Sequence, residues 1–176
     1  ARKKGLFNAF VSNGYATPES VKMMSEFLDC ITVDFKGNGE QKFVRQYVGI
    51  PSSQPVFDSL VELKEKTNIH VEITDLIVPK VGDDLEHAKK LCKFIYDLFG
   101  PEMPIHFLQF HPSYKMMDFE PTPYGAAQKK RNFTRKSHKA KSPSPMDLKS
   151  ILDGLLFHRG LTSTTSQTMR TSRGEP

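Results

Sequence analysis

Hydrophobic positions over the first 110 residues switch repeatedly between a two-residue and a helical period. The run 6–11 (Leu-Phe-Asn-Ala-Phe-Val) reads as a buried strand, and Ser12-Asn13-Gly14-Tyr15 is a polar turn whose glycine can take positive φ. Thr17-Pro18-Glu19-Ser20 opens a helix with Thr17 as cap and Pro18 in the first helical position, and Val21, Met24, Phe27 and Leu28 recur at helical spacing. Ile31-Thr32-Val33-Asp34-Phe35-Lys36 is a second strand, broken by Gly37-Asn38-Gly39. Residues 42–48 fit neither period. Val56, Leu60, Leu63 and Lys64 mark one stripe of a helix reaching about Lys66, with Ser53 as its cap. The run 69–78 is the clearest strand, alternating and then continuously apolar, and its length predicts that it crosses the whole core. Asp83 and Asp84 cap a helix over 85–98, whose apolar face is Ala88, Leu91, Cys92, Ile95 and Leu98. A fourth strand, 105–110, stops at His111-Pro112, where proline lacks a donor and restricts its predecessor. Four strands alternating with three helices imply an α/β fold, a parallel sheet covered by helices, of the wound or barrel kind.

From Tyr124 the pattern collapses, and charge confirms the break. Residues 1–123 hold 14 Lys or Arg and 17 Asp or Glu, a net of −3, while 124–176 hold 11 and 3, a net of +8. The tail is expected to be largely disordered, with one amphipathic helix near 146–157. A length of 176 residues at 38% hydrophobic content fits one core of ordinary size. With no membrane-length apolar run and no signal peptide, a cytoplasmic protein with no membrane partner is expected. Cys30 and Cys92 lie among apolar residues and are expected to be buried and reduced.

The chemistry collects where the strands end. In parallel α/β proteins sites gather at the C-terminal ends of strands. Those ends carry Ser12 and Asn13, then Asp34 and Lys36, then Thr74 and Asp75, then Gln109 and His111. Asp34 and Lys36, two apart, project from one face of their strand, while Val33 and Phe35 pack on the other. This set suits a polar ligand carrying both an amine and a carboxylate, with Lys36 on the carboxylate and Asp34 or Asn13 on the amine or a hydroxyl. Each residue also has a plainer role: a solvated ion pair for Asp34 and Lys36, a turn for Asn13-Gly14, a loop for His111, and packed or edge positions for His70 and His106. No CxxC pair, HExxH, phosphate-cradling loop or nucleophile elbow is present.

The order FVSNGY, VDFKG, VEITDLIVP and FHPSYKMMDFEPTP resembles the later part of radical S-adenosylmethionine (SAM) enzymes of the AmmeMemoRadiSam-system type, related to pyruvate-formate-lyase activating enzymes. The resemblance covers residues 1–123. It implies a partial (βα) TIM-like barrel of about four parallel strands with the N-terminal strands missing, followed by the basic tail. It further implies S-adenosylmethionine and a 4Fe–4S cluster as cofactors, and reductive cleavage to a 5′-deoxyadenosyl radical that abstracts hydrogen from a protein or small-molecule substrate. By motif, Asn13, Asp34, Lys36 and His111 match the family's cofactor-binding positions. The CxxxCxxC cluster motif is absent, and Cys30 and Cys92 match neither it nor its spacing. Lys80 stands where the family usually has glycine, and Asp75 where it often has threonine.

The leading expectation is therefore a fragment of a radical SAM enzyme, competent only with the missing N-terminal half of the barrel. The open sheet edge left by those strands is expected to invite pairing with other chains. A second reading is a non-catalytic remnant whose basic tail binds an acidic partner or nucleic acid. Nucleic acid is disfavoured because only Phe133 and Phe157 follow Tyr124 as aromatics. A third is a barrel enzyme using Asp34, Lys36 and His111 as acid, base and electrostatic groups without a cluster.

Overall fold

Each strand and helix predicted within the first 123 residues exists, and the computed structural model describes residues 1–123 and Gly125. The basic tail, its expected helix at 146–157 and the binding reading it carries lie outside the described residues. The order is β1 (Ala9–Ser12), α1 (Pro18–Ser25), β2 (Cys30–Lys36), a single helical turn α2 (Gln41–Phe43) running into a π-turn (Val44–Val48), α3 (Gln54–Lys66), β3 (His70–Ile77), α4 (Leu85–Phe99) and β4 (Ile105–Gln109). The strands lie in the order β1-β2-β3-β4 and all three pairings are parallel.

The register decides between wound and barrel. Ile31, Val33 and Phe35 of β2, Val71 and Ile73 of β3 and Ile105 of β4 share one face, and they pack with Val21 of α1, Val56, Leu60 and Leu63 of α3, and Leu91, Cys92 and Ile95 of α4 in one core. All three long helices therefore cover the same face of a sequentially ordered sheet, which makes it a sector of a (βα) barrel. The opposite, inward face carries Thr32, Asp34 and Lys36 from β2, His70, Glu72 and Thr74 from β3, and His106 from β4. The two periods read from the sequence meet here, helical stripes on one side and alternating polar residues on the other. Truncating Leu60, which is fully buried, to alanine is expected to cost about 2–5 kcal/mol in urea denaturation.

Local chemistry explains the helix starts. Thr17 and Ser20 form a reciprocal capping box before α1, with Pro18 in its first turn. Asp84 caps α4, its Oδ1 accepting the His87 N–H at 2.8 Å. Ser53 corrects its expectation: it precedes α3, but its hydroxyl donates to the Gly39 carbonyl at 2.8 Å and so ties the loop after β2 to the helix. β1 corrects another. It starts at Ala9, later than its apolar run, and it is an edge strand with Val11 75% exposed, because its only described neighbour is β2. α1 ends at Ser25, before Phe27, which is partly exposed and stacks edge-on against Phe10 at 5.8 Å.

The FHPSYKMMDFEPTP run closes the ends of β3 and β4. Buried Thr122 accepts the Phe110 N–H at 2.8 Å and donates to the Ile77 carbonyl at 2.6 Å, so one hydroxyl joins two strands. Beside it, in the turn after β3, Lys80 holds φ +69°. That is the left-handed region, which costs a residue with a Cβ about 1–2 kcal/mol, and it accounts for the glycine usual at this place in the resembled family. Lys80 pairs with Glu120 at 3.1 Å, but both are largely exposed, so the pair adds little. Lys80→Gly is expected to leave stability unchanged or raise it by up to about 1 kcal/mol, the relief of strain being partly offset by the added freedom of the unfolded chain. A loss above that size in thermal denaturation would show that the turn depends on the lysine.

Candidate functional site

Asp34 is the centre of the polar inward face. It sits near the C-terminal end of β2, and both of its oxygens are engaged: Oδ1 accepts from the Thr74 hydroxyl at 2.8 Å and Oδ2 pairs with the Lys36 ammonium. The sequence reason is simple. Asp34 and Lys36 are two apart on one strand, and Asp34 and Thr74 are register partners on adjacent strands, so all three project together. Asp34 is thus an oriented acceptor with a cation beside it, an arrangement that can bind an ammonium or hydroxyl at the carboxylate and an anionic group at the amine.

Asn13 comes to the same place by way of its turn. Its side-chain oxygen accepts the Tyr15 N–H at 3.0 Å, an Asx turn, and the next residue, Gly14, has φ +69°. A Cβ on Gly14 would meet Val33 Cγ1 at 2.6 Å and Val56 Cγ1 at 2.9 Å, so the turn lies flat on the core only because this residue is glycine. The Ser59 hydroxyl of α3 also donates to the Gly14 carbonyl. Asn13, Tyr15, Asp34 and Lys36 line one cleft, floored by Gly39, Ser53 and Val56 and walled by Val44, Val48 and Ile50 of the π-turn and the loop after it. The free space is about 40 Å³, room for a water or two. The π-turn, the ambiguous stretch of the sequence, has become part of the wall; such turns are common at functional sites.

The other expected residues fall elsewhere. His111 follows β4, is exposed, and does not line the cleft. Asp75 is corrected: it alternates onto the helix-covered face, is fully buried, and its Oδ1 accepts the Asn38 N–H at 2.9 Å. Asn38, itself at φ +59°, reaches the Gly82 and Asp84 carbonyls at 3.4 and 3.3 Å, so Asp75 anchors the crossing of two loops. Thr74, its neighbour, is the residue of that strand end that joins the site.

Sequence reading passed over Glu72. It lies between two imidazoles, His70 Nε2 at 3.5 Å from Oε1 and His106 Nε2 at 3.5 Å from Oε2. Those imidazoles, His106 first and then His70, hold its carboxyl down at about 2 against the burial that would raise it. Burial, reinforced by the charges of Glu72 and Asp29, pushes the Cys30 thiol up. The signal was the alternation His70-Glu72-Thr74, three polar residues on one face of β3.

A 4Fe–4S cluster does not fit the residues described. Cys30 lies on the inward face of β2 and Cys92 packs in the core on the other face, both buried, and two thiols on opposite sides of a sheet cannot share a cluster. Among the described residues no three His, Cys, Asp or Glu side chains are placed to hold a metal ion. Nor is any described helix long and apolar enough to cross a membrane.

No protein-family model matches the sequence. An uncharacterized protein of Methanocaldococcus jannaschii is 36% identical over 132 residues, which are 75% of this chain and 38% of that protein; the chain thus spans well under half the length of this curated relative. A domain of pyruvate-formate lyase-activating enzyme from Bacteroides vulgatus superposes with a TM-score of 0.62 at 17% identity, over 81% of this chain and 84% of that one. A radical SAM methyltransferase from Sphaerobacter thermophilus gives a TM-score of 0.50 at 14% identity, over 76% of this chain and 39% of its own. Identities this low compare shape alone, and the shape agrees with the sequential parallel order and the one-sided helices: the chain folds as a partial radical SAM-like α/β barrel.

Proposed function

We propose that this chain is the S-adenosylmethionine-facing part of a radical SAM enzyme of the AmmeMemoRadiSam-system type, with Asn13, Asp34, Lys36 and His111 as the residues that meet the cofactor. The observation that carries the reading is Asp34, oriented by Thr74, paired with Lys36 and set beside Asn13 over a cleft at strand ends. Asp34 would receive the ammonium or a hydroxyl of the ligand and Lys36 its carboxylate. The described residues supply no cluster ligands, so no radical step is assigned to them, and cluster chemistry belongs to a further polypeptide segment. Saturable shifts of the Asn13, Asp34 and Lys36 backbone resonances on titrating the full chain with S-adenosylmethionine are the expected result. Asp34→Asn should weaken that binding tenfold or more. Unmoved resonances at millimolar ligand would sink the reading.

The partner is the polypeptide that completes the barrel, entering as a parallel strand beside β1. β1 carries no charge or proline to blunt its edge, and it exposes Val11 together with Phe10. Light scattering should therefore find the chain self-associating when alone, and Val11→Lys should make it monomeric. A wild-type chain that is monodisperse and melts cooperatively would count against the partner.

A further inference from the structure

The short helical stretch after β2 divides its residues between core and solvent. Phe43, Val44 and Tyr47 pack in an apolar cluster with Val78 and Phe110, and the Phe43 and Tyr47 rings stand 5.1 Å apart. The positions between and before them, Gln41, Lys42, Arg45 and Gln46, are exposed. Asn38, in the loop that leads into the stretch, donates to the Asp84 carbonyl at 3.3 Å and so holds the start of α4 beside it. His87 of α4 thereby joins Glu40, Gln41, Lys42, Arg45 and Gln46 around a second cleft, with about 600 Å³ of free space. Small-molecule sites run to about 300–1,000 Å³. Every side chain that lines this one is polar, so its ligand must be polar too.

Charge and anchoring narrow the choice. Elsewhere on the described helices lysines stand beside acids, Lys66 by Glu62, Lys89 by Glu86 and Lys93 by Asp97. Lys42 and Arg45 pair with no acid among the described residues, although Glu40 borders the same cleft. The Arg45 guanidinium is nevertheless held: its Nε donates to the Pro51 carbonyl at 2.9 Å, which leaves both Nη groups for a ligand. The Gln41 amide donates to the same carbonyl. The His87 imidazole is held from behind as well, with Nδ1 2.9 Å from Asp84 Oδ1. Asp84 is ionised, its carboxyl lowered first by the His87 backbone N–H and then by the ring. An ionised carboxylate only accepts, so Nδ1 carries the proton and Nε2 is left for a ligand.

We propose that this cleft binds a small hydroxylated phosphate monoester. The Arg45 fork and the Lys42 ammonium take the phosphate, two permanent cations for one dianion, and the His87 imidazole, the Gln46 amide and the Glu40 carboxylate meet the hydroxyls. A guanidinium fork matches phosphate oxygens two at a time, and the ammonium adds a point charge. Anchoring Arg45 and His87 beforehand removes part of the ordering cost of binding. The site is distinct from the Asp34 cleft, which Val44 and Val48 of the same π-turn wall while Arg45 and Gln46 line this one. It does not rest on the reading of Asp34, and a chain that binds no S-adenosylmethionine tests it equally well.

The test is a titration of the full chain with inorganic phosphate and with glycerol phosphate, read by backbone resonances, with ionic strength held constant by sodium chloride. Saturable shifts at Lys42, Arg45, Gln46 and His87 are expected at about millimolar ligand, with glycerol phosphate about fivefold tighter than inorganic phosphate. Lys42→Gln removes a side chain that has no partner among the described residues, and should weaken both ligands about fivefold; Arg45→Gln should weaken them about tenfold. Glu40→Gln should act in two directions, tightening inorganic phosphate by relief of repulsion and reducing the advantage of the glycerol ester. Should Arg45→Gln fail to fold for want of its tie to Pro51, the Lys42 and Glu40 variants decide. Shifts that sodium chloride alone reproduces, or that Lys42→Gln leaves unchanged, would overturn the site. Inorganic phosphate binding as tightly as glycerol phosphate would overturn the hydroxylated ester as its ligand.

Discussion

Asp75→Ala is expected to lower the stability of the chain by about 3 kcal/mol in urea denaturation, while Asp34→Ala lowers it by no more than about 1 kcal/mol. The two carboxylates end neighbouring strands one register position apart and differ only in the face they occupy. Asp75 is fully buried and takes the N–H of Asn38, whose left-handed backbone and two side-chain contacts join the loop after β2 to the loop after β3. Removing it strands a buried amide, at about 1–3 kcal/mol, and opens a cavity under both loops. Asp34 sits beside a Lys36 that is 39% exposed, and water replaces the lost pair at little cost. Opposite effects on ligand binding are expected, with Asp34 essential and Asp75 felt only through stability. An Asp75→Ala chain as stable as the wild type would show that the loop crossing is held by something other than this carboxylate.

That contrast marks the limit of what the sequence disclosed. Alternation and helical stripes were enough for four parallel strands and the helices that cover them, because burial on one face is what writes those periods. The pairing of Asp34 with Lys36 was legible for the same reason, being a local consequence of a two-residue period. Asp75 was misplaced because a strand end was treated as pointing wholly into the mouth, when alternation sends Thr74 inward and Asp75 into the core. Glu72 was missed although its alternation was visible, since its meaning depends on His106, 34 positions away and brought close only by the register of β3 and β4. His111, singled out by resemblance, and His106, set down as a packed residue, differ in the same way: resemblance reports matching motifs, and only the sheet shows which histidine shares a row with Asp34. Lys80 is the reverse case. A motif departure, lysine for glycine, falls on a left-handed residue that no periodicity could indicate.

Acid should weaken the fold through Glu72, and by a predictable amount. Its carboxyl is held at about 2 in the folded chain against 4.5 as its ordinary value. A depressed carboxylate contributes stability that is fully present above the unfolded value and is lost as pH falls through the folded one, so the loss should run from about pH 5 down to about pH 2. The full difference corresponds to about 3 kcal/mol, and roughly 2 kcal/mol remains once solvent screening of the partly exposed His70 is allowed for. Glu72→Gln should be less stable at neutral pH by about that amount and should lose the corresponding part of the acid dependence, while Glu120→Gln, on an exposed pair, should follow the wild-type curve. Equal acid slopes in wild type and Glu72→Gln would mean that the imidazoles do not hold this carboxylate.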